Sequence, residues 1–197
     1  MWAPLLMSRA LVADASAGPG MVPYPPQTSP KNEVSWGAGL GGGEQLQVPG
    51  GFAFSGWSRY GLTDRVEVFG GAWFTVPAAV GVHGGLRVSA GNPSDVDGVG
   101  VSAGLTVGGG GFFNVALPLE AGLQRGGTRV WLGAQPAIYP SVADADPAYV
   151  VEGFPADLTG HLGFEQQVEE DFFLQVTAGG GTSVTWFAML GVTWSEW

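Results

Sequence analysis

Two histidines, His83 and His161, stand in a chain of 197 residues that contains no cysteine. Around them lie Glu67, Arg87, Glu120, Arg129, Gln135, Glu165 and Gln175, each in a stretch where polar and apolar residues alternate. Two chemistries are open to such a set. An imidazole beside a hydroxyl and a carboxylate can hydrolyse a lipid or peptide. His83 with Ser89 and Glu67 is the conceivable trio, and His161 the alternative base. No motif fixes that geometry. The second chemistry is structural, because Arg and Glu enclosed in a narrow space must pair or incur a large desolvation cost. Two arginines, three glutamates and two histidines would make a nearly balanced internal network. That is the reading adopted for Glu67, His83, Arg87, Glu120, Arg129, Gln135, His161 and Glu165, with no catalytic residue assigned. Two histidines without cysteine or matching carboxylate spacing do not supply a tetrahedral metal set, so neither metal nor cofactor is expected. The runs Gly41–Gly43, Gly108–Gly111 and Gly179–Gly181 lack the Lys and Ser or Thr that follow a phosphate-binding loop, and read as loop tips or close backbone approaches.

The elements that would hold these side chains are strands. In YGLTDRVEVFGGAWFTV (60–76) the turn residues Gly61, Thr63 and Asp64 lead into a segment with two unlike faces. Val66, Val68, Gly70, Ala72, Phe74 and Val76 share one face, and Glu67, Phe69, Gly71 and Trp73 the other, which is the period of a strand. Similar alternation begins at Glu33 and recurs near 52–60, 80–89, 99–107, 113–123, 129–139, 157–167, 172–180 and 184–195. About ten strands result, or eight if 52–60 and 80–89 are miscounted. Connections at 61–64, 91–97, 124–128 and 168–171 are short. Those at 41–51, 108–112, 140–156 and 181–183 are longer or Gly-rich, while 77–79 departs from that rule.

Composition decides which medium the apolar face meets. Charged residues make up 12% of the chain, against 35 glycines and eight tryptophans, and mean hydropathy is positive. A soluble barrel that used its apolar face as a core would need a richly charged exterior, and the opposite face is mostly Gly, Ser, Thr and Ala. A sheet in hydrocarbon has to close on itself so that no backbone group is left unpaired. Each segment approaches the ~9–11 residues that cross a bilayer at a tilt. Trp36, Tyr60, Phe74, Phe113, Tyr139, Trp186 and Trp194 fall near strand ends, where aromatic rings favour the interface. The expected fold is an all-β, closed, antiparallel, up-and-down transmembrane barrel over residues 33–197. Trp73, Trp131 and Phe173 would help to fill its lumen. A formal charge of −10 with seven basic residues argues against nucleic acid as a partner.

Ahead of the barrel, residues 1–17 resemble a degenerate secretory signal, with an apolar stretch from Ala3 to Val12 and small residues Ala15 and Ala17, but no basic start. Residues 18–32 hold five prolines and read as an extended periplasmic linker.

The RYGLTDRVEVFGGAWF hairpin, the repeated aliphatic-glycine alternation and a last strand that ends in Trp197 resemble small bacterial outer-membrane β-barrel proteins. The resemblance implies a bacterial outer-membrane location with both termini periplasmic. It also implies membrane lipids and the barrel-assembly machinery as partners, with Trp197 as part of the assembly signal. Other envelope proteins would meet the 140–156 loop or the 18–32 linker. The function expected is a non-enzymatic structural or surface-interaction barrel, or a narrow conduit. An outer-membrane hydrolase and a soluble barrel carrying a small ligand are the alternatives.

Overall fold

The computed structural model describes residues 25, 27–45, 48–76, 79–91, 97–109, 113–138, 156–182 and 184–196. The expected leader, most of the Pro-rich stretch, most of the acidic 140–156 loop and Trp197 lie outside the described residues. The strands are β1 (Val34–Gln45), β2 (Val48–Thr63), β3 (Val66–Val76), β4 (Ala79–Gly91), β5 (Gly98–Gly109), β6 (Phe113–Ala116), β7 (Leu119–Arg125), β8 (Thr128–Ile138), β9 (Ala156–Glu169), β10 (Phe172–Gly181) and β11 (Val184–Glu196). All pairings between these strands are antiparallel and join neighbours in sequence, except that β5 also meets β7 and β6 meets β8, and β1 pairs with β11, so the sheet closes into the expected barrel.

β6 and β7 together occupy one place in the ring, between β5 and β8. The sequence predicts a single strand there, and proline explains the interruption. Pro118 has no N–H for the ladder with β5, and Pro136 none for the ladder with β6–β7. Their carbonyls still accept, from the amides of Gly104 and Leu117 respectively, at 2.9 Å each. Register is unbroken across the gap: Thr106 faces Ala116 and Ala103 faces Leu119, while Ala137 faces Ala116 and Ala134 faces Leu119. The result is a ten-stave barrel with two adjacent ladder bonds missing.

Most of the loop expected over Gly41–Gly51 is instead strand, as far as Gln45 and again from Val48. Gly41, Gly42 and Gly43 pair with Ala53, Phe52 and Gly51. A Cβ at Gly41 or Gly43 would crowd Met189 or Phe187 of β11, so these glycines make room for a neighbouring side chain instead of forming a loop. β5 and β10 likewise run on into Gly109 and Gly181. Long and short connections therefore do not divide cleanly between the two ends, and 139–155 stands out as the long one.

Following the register perpendicular to the strands shows the stagger. From Val34 the path crosses Tyr60, Val68, Leu86 and Leu105, then positions 117, 136, 158, 182 and 184. It re-enters β1 near Gln45, roughly twelve residues above its start. With about 3.3 Å per residue and about 4.8 Å between strands, that stagger gives a tilt of about 40° and a backbone radius of about 10 Å.

The faces are those the alternation assigned. Val68, Leu117 and Leu132 point outward while Glu67, Phe69 and Trp73 are buried. This excludes the soluble carrier, which needed the aliphatic residues in a dry interior. Trp36, Tyr60 and Trp194 ring the end that carries the 64–65, 126–127 and 170–171 turns, and Phe52, Phe54, Phe74 and Trp186 ring the other, all outward-facing. Phe54 and Phe74 stack across strands, with ring centroids 6.5 Å apart. Tyr60 and Phe52 are eight residues apart on β2, about 20 Å along the axis at this tilt, near the roughly 25 Å apolar band of such barrels.

Candidate functional site

Close to the short turns, the lumen carries a belt of charge built from cross-strand neighbours. Glu67 on β3 stands opposite Arg87 on β4, and Arg129 on β8 opposite Glu165 on β9. Arg87 Nη2 donates to Glu67 Oε1, and Arg129 Nη1 to Glu165 Oε1, at 2.5 Å each. Arg59 Nη1 lies 4.0 Å from Glu67 Oε2, and Arg87 Nη1 lies 4.0 Å from Glu120 Oε2. Ser102, directly opposite Glu120, donates its hydroxyl to that carboxylate at 2.7 Å. Gln124 accepts from Arg129 Nε at 2.8 Å, and the Arg129 guanidinium sits 4.6 Å above the Phe173 ring. Around the wall the signs run plus, minus, plus on β2, β3 and β4, then minus, plus, minus on β7, β8 and β9. All six side chains are buried. The belt therefore joins a run of close contacts Arg59–Glu67–Arg87–Glu120 and a close pair Arg129–Glu165, with equal numbers of each sign.

Above the belt the lumen is filled by rings lying on glycine. Trp57, Trp73 and Trp131 each lie against the glycine directly opposite on the adjoining strand, namely Gly37, Gly81 and Gly163. A Cβ at any of these glycines would overlap the indole, which is why the inward face of the sequence alternates ring and glycine. The two histidines follow the same rule: His83 lies on Gly71 and His161 on Gly133. Two hairpins thus repeat one ladder of rows. In β3–β4 the rows are Glu67 with Arg87, Phe69 with Gly85 and Gly71 with His83; in β8–β9 they are Arg129 with Glu165, Trp131 with Gly163 and Gly133 with His161. Charge is reversed between the two hairpins and size is conserved.

This arrangement does not assemble the hydrolytic trio. His83 and Ser89 are six residues apart on one strand, about 20 Å, and the Ser89 hydroxyl donates to the Val101 carbonyl at 3.4 Å. Glu67 is occupied by arginine. Gln135 stands higher on β8, opposite Thr159. Gln175 donates Nε2 to Thr177 Oγ1 at 3.2 Å. Among the described residues no group of three or more His, Cys, Asp or Glu is placed to hold a metal ion.

Sequence reasoning missed two members of the site. One is Arg59, which brings the basic residues in the belt to three. The strand alternation pointed to it, since an outward Tyr60 puts Arg59 inside. The other is the end of the Pro-rich stretch. Gln27, Thr28 and Ser29, expected in an extended periplasmic linker, are buried in the barrel mouth. Proline does keep this segment out of the sheet, but polar side chains and free amides can still be satisfied inside a polar lumen, and Glu67 accepts from the Ser29 amide at 2.7 Å.

The sequence matches no protein-family model and no curated protein. Among solved structures it is similar to an outer-membrane channel of Pseudomonas putida F1, at 13% identity and a TM-score of 0.50, with 89% of this chain and 100% of that one covered. It is also similar to the amino-terminal β-barrel domain of Pseudomonas aeruginosa OprF, at 18% identity and a TM-score of 0.40, over 84% and 98% of the two chains. A de novo designed transmembrane β-barrel gives 9% identity and a TM-score of 0.46, over 86% and 100%. The likeness to the Pseudomonas putida channel establishes a shared fold: the chain has the architecture of a small outer-membrane β-barrel.

Proposed function

We infer that this chain is an integral bacterial outer-membrane β-barrel that acts as a sealed structural or surface-interaction element, without enzymatic activity. The start of β1 and the end of β11 lie at the end that carries the 64–65, 126–127 and 170–171 turns, which in this reading faces the periplasm, while the end of β8 and the start of β9, joined by residues 139–155, face the outside, where envelope or extracellular partners would meet them. Membrane lipid is the partner of the whole exterior, and the barrel-assembly machinery the partner during insertion.

The observation that carries the reading is the buried, charge-balanced belt. A water-filled pore leaves its charged side chains hydrated, whereas here Arg87 and Glu67 are 1% and 0% exposed. A narrow conduit would need that belt to part. The test is reconstitution of the purified chain into planar bilayers, with heat-modifiable migration on a gel as the check of folding. Folded protein that inserts and stays at baseline current is the expected result. Steady ohmic conductance, or extraction from membranes without detergent, would overturn it.

A further inference from the structure

The chain crosses its own mouth before it enters the wall. Asn32 takes a left-handed backbone (φ 67°) that turns the preceding residues inward from the base of β1. Lys31 forms an isolated parallel bridge with Gly61 of β2, and the Asn32 amide donates to the Gly61 carbonyl at 2.8 Å. Further in, Ser29 reaches Glu67 through its amide, the Gln27 carbonyl accepts from Arg59 Nη1 at 3.4 Å, and Thr28 Oγ1 donates to the Asp64 carbonyl at 2.9 Å. The Gln27 side chain ends against Gly100 on β5, four staves from β1, with its Nε2 3.3 Å from where a Cβ would stand. The segment therefore spans the opening from one wall toward the other.

Two features distinguish this from a tail frozen in place. The Gln27 amide is buried, and neither its Nε2 nor its Oε1 has a hydrogen-bond partner among the described residues. Release to water would satisfy both. Gly61 is the seat of the segment: a Cβ there would collide with the carbonyls of Pro30 and Ser29. Glycine at this site keeps the seat open, while the belt residues stand deeper.

We propose that residues 27–31 are a tethered plug, seated on Gly61, Glu67 and Arg59, that gates the short-turn mouth and controls access of small hydrophilic solutes to the charged belt. This rests on the sealed-barrel reading, since a plug has nothing to control in a barrel that is already open. Contacts to the segment's backbone dominate the seat, so the plug is held by its path more than by its side chains.

The chain has no cysteine, so single cysteines report cleanly. In the full-length protein in vesicles, S29C should react with a membrane-impermeant maleimide at least tenfold more slowly than K31C, because Ser29 is buried and Lys31 exposed. Gly61→Val should bring S29C to within about twofold of K31C and raise the maleimide reactivity of a cysteine at the belt, S102C beside Glu120, at least tenfold, while the belt and the rings above it keep planar bilayers at baseline current. Ser29 Oγ and Ser35 Oγ are 3.3 Å apart, so oxidised S29C/S35C in the Gly61→Val background should protect S102C again, and reduction should expose it. Heat-modifiable migration checks each variant. If Gly61→Val does not fold, deletion of residues 1–31 serves the same purpose. Equal reactivity of S29C and K31C in an otherwise unchanged, non-conducting chain would overturn the plug and leave the sealed barrel standing. Conductance of the parent chain with S29C protected would overturn the sealed barrel, and the gate with it. Exposure of S29C by Gly61→Val, or deletion of residues 1–31, that leaves S102C as unreactive as in the parent chain would overturn the gate alone.

Discussion

The Arg129–Glu165 pair offers a direct measure of how dry the lumen is. Its two members are in direct contact, while the chain that contains Glu67 acts on them across the lumen at longer range, so a double-mutant cycle reads their mutual coupling. At an effective dielectric of about 20, unit charges about 4 Å apart attract by about 4 kcal/mol, and in bulk water by about 1 kcal/mol. Arg129→Met leaves the Glu165 carboxylate buried without its cation, which should cost about 3–5 kcal/mol. Glu165→Leu should cost less, because Arg129 keeps Gln124 and the face of Phe173, the latter worth about 0.5–2 kcal/mol. The double variant removes both charges. It should fall within about 2 kcal/mol of the parent, its residual cost being the loss of the Arg129–Gln124 hydrogen bond. Urea unfolding from lipid vesicles, followed by tryptophan fluorescence, reads all four corners, and Trp131 in the next row up senses the site. A coupling of several kcal/mol is expected. A coupling near 1 kcal/mol, with both single variants nearly neutral, would refute the dry belt and the sealed reading that rests on it.

Other substitutions test the two faces of the sheet. Leu132 is 63% exposed on β8, and Leu132→Arg should cost about 2–4 kcal/mol in vesicles if it sits near the bilayer midplane; unchanged stability would place that face in water. Gly163→Ala pushes a methyl into the Trp131 ring and should cost about 1–3 kcal/mol. Gly160, three residues earlier on the same strand, has no atom closer than 3.9 Å to a built Cβ, so Gly160→Ala should be neutral or stabilising by about 0.5–1 kcal/mol. Equal effects at the two glycines, read from urea midpoints, would show that the ring-on-glycine packing does not govern the lumen.

Much of the barrel was legible because period two is a strong signal when each face has its own composition. On β3, Val68 and Phe74 against Glu67 and Trp73 left no doubt about which side was which. Glycine was harder to read, because it serves two ends. Gly41 and Gly43 look like a loop in sequence, and what makes them strand is a pair of side chains on β11, far along the chain. Pro118 poses the converse problem. It breaks the ladder locally, yet register carries straight through it, because the strands on either side hold Ala116 and Leu119 in line. The buried end of the Pro-rich stretch left the faintest trace. Nothing in PQTSPKN marks Thr28 and Ser29 as interior. Their partners are the Asp64 carbonyl and the Glu67 carboxylate, and no local pattern encodes a contact made across a mouth.

The low share of charge in the chain takes on a different meaning with the belt in view. A soluble domain spreads its ionisable groups over a surface where each is individually dispensable. Here six of them face one another inside the wall, so the sign of each is constrained by its neighbours. Glu67 is the most constrained, because its two oxygens have different duties. Oε1 takes Arg87, while Oε2 takes the Ser29 amide and has Arg59 waiting at 4.0 Å. If the segment leaves, Oε2 loses a neutral donor and the nearby guanidinium can close onto it. Departure of residues 27–31 therefore changes no net charge in the lumen and strands no carboxylate. A mouth held by a charged tether could not open without leaving an unpaired ion behind; one held by a backbone amide can, and that difference makes the segment removable in a barrel whose other polar contacts are not.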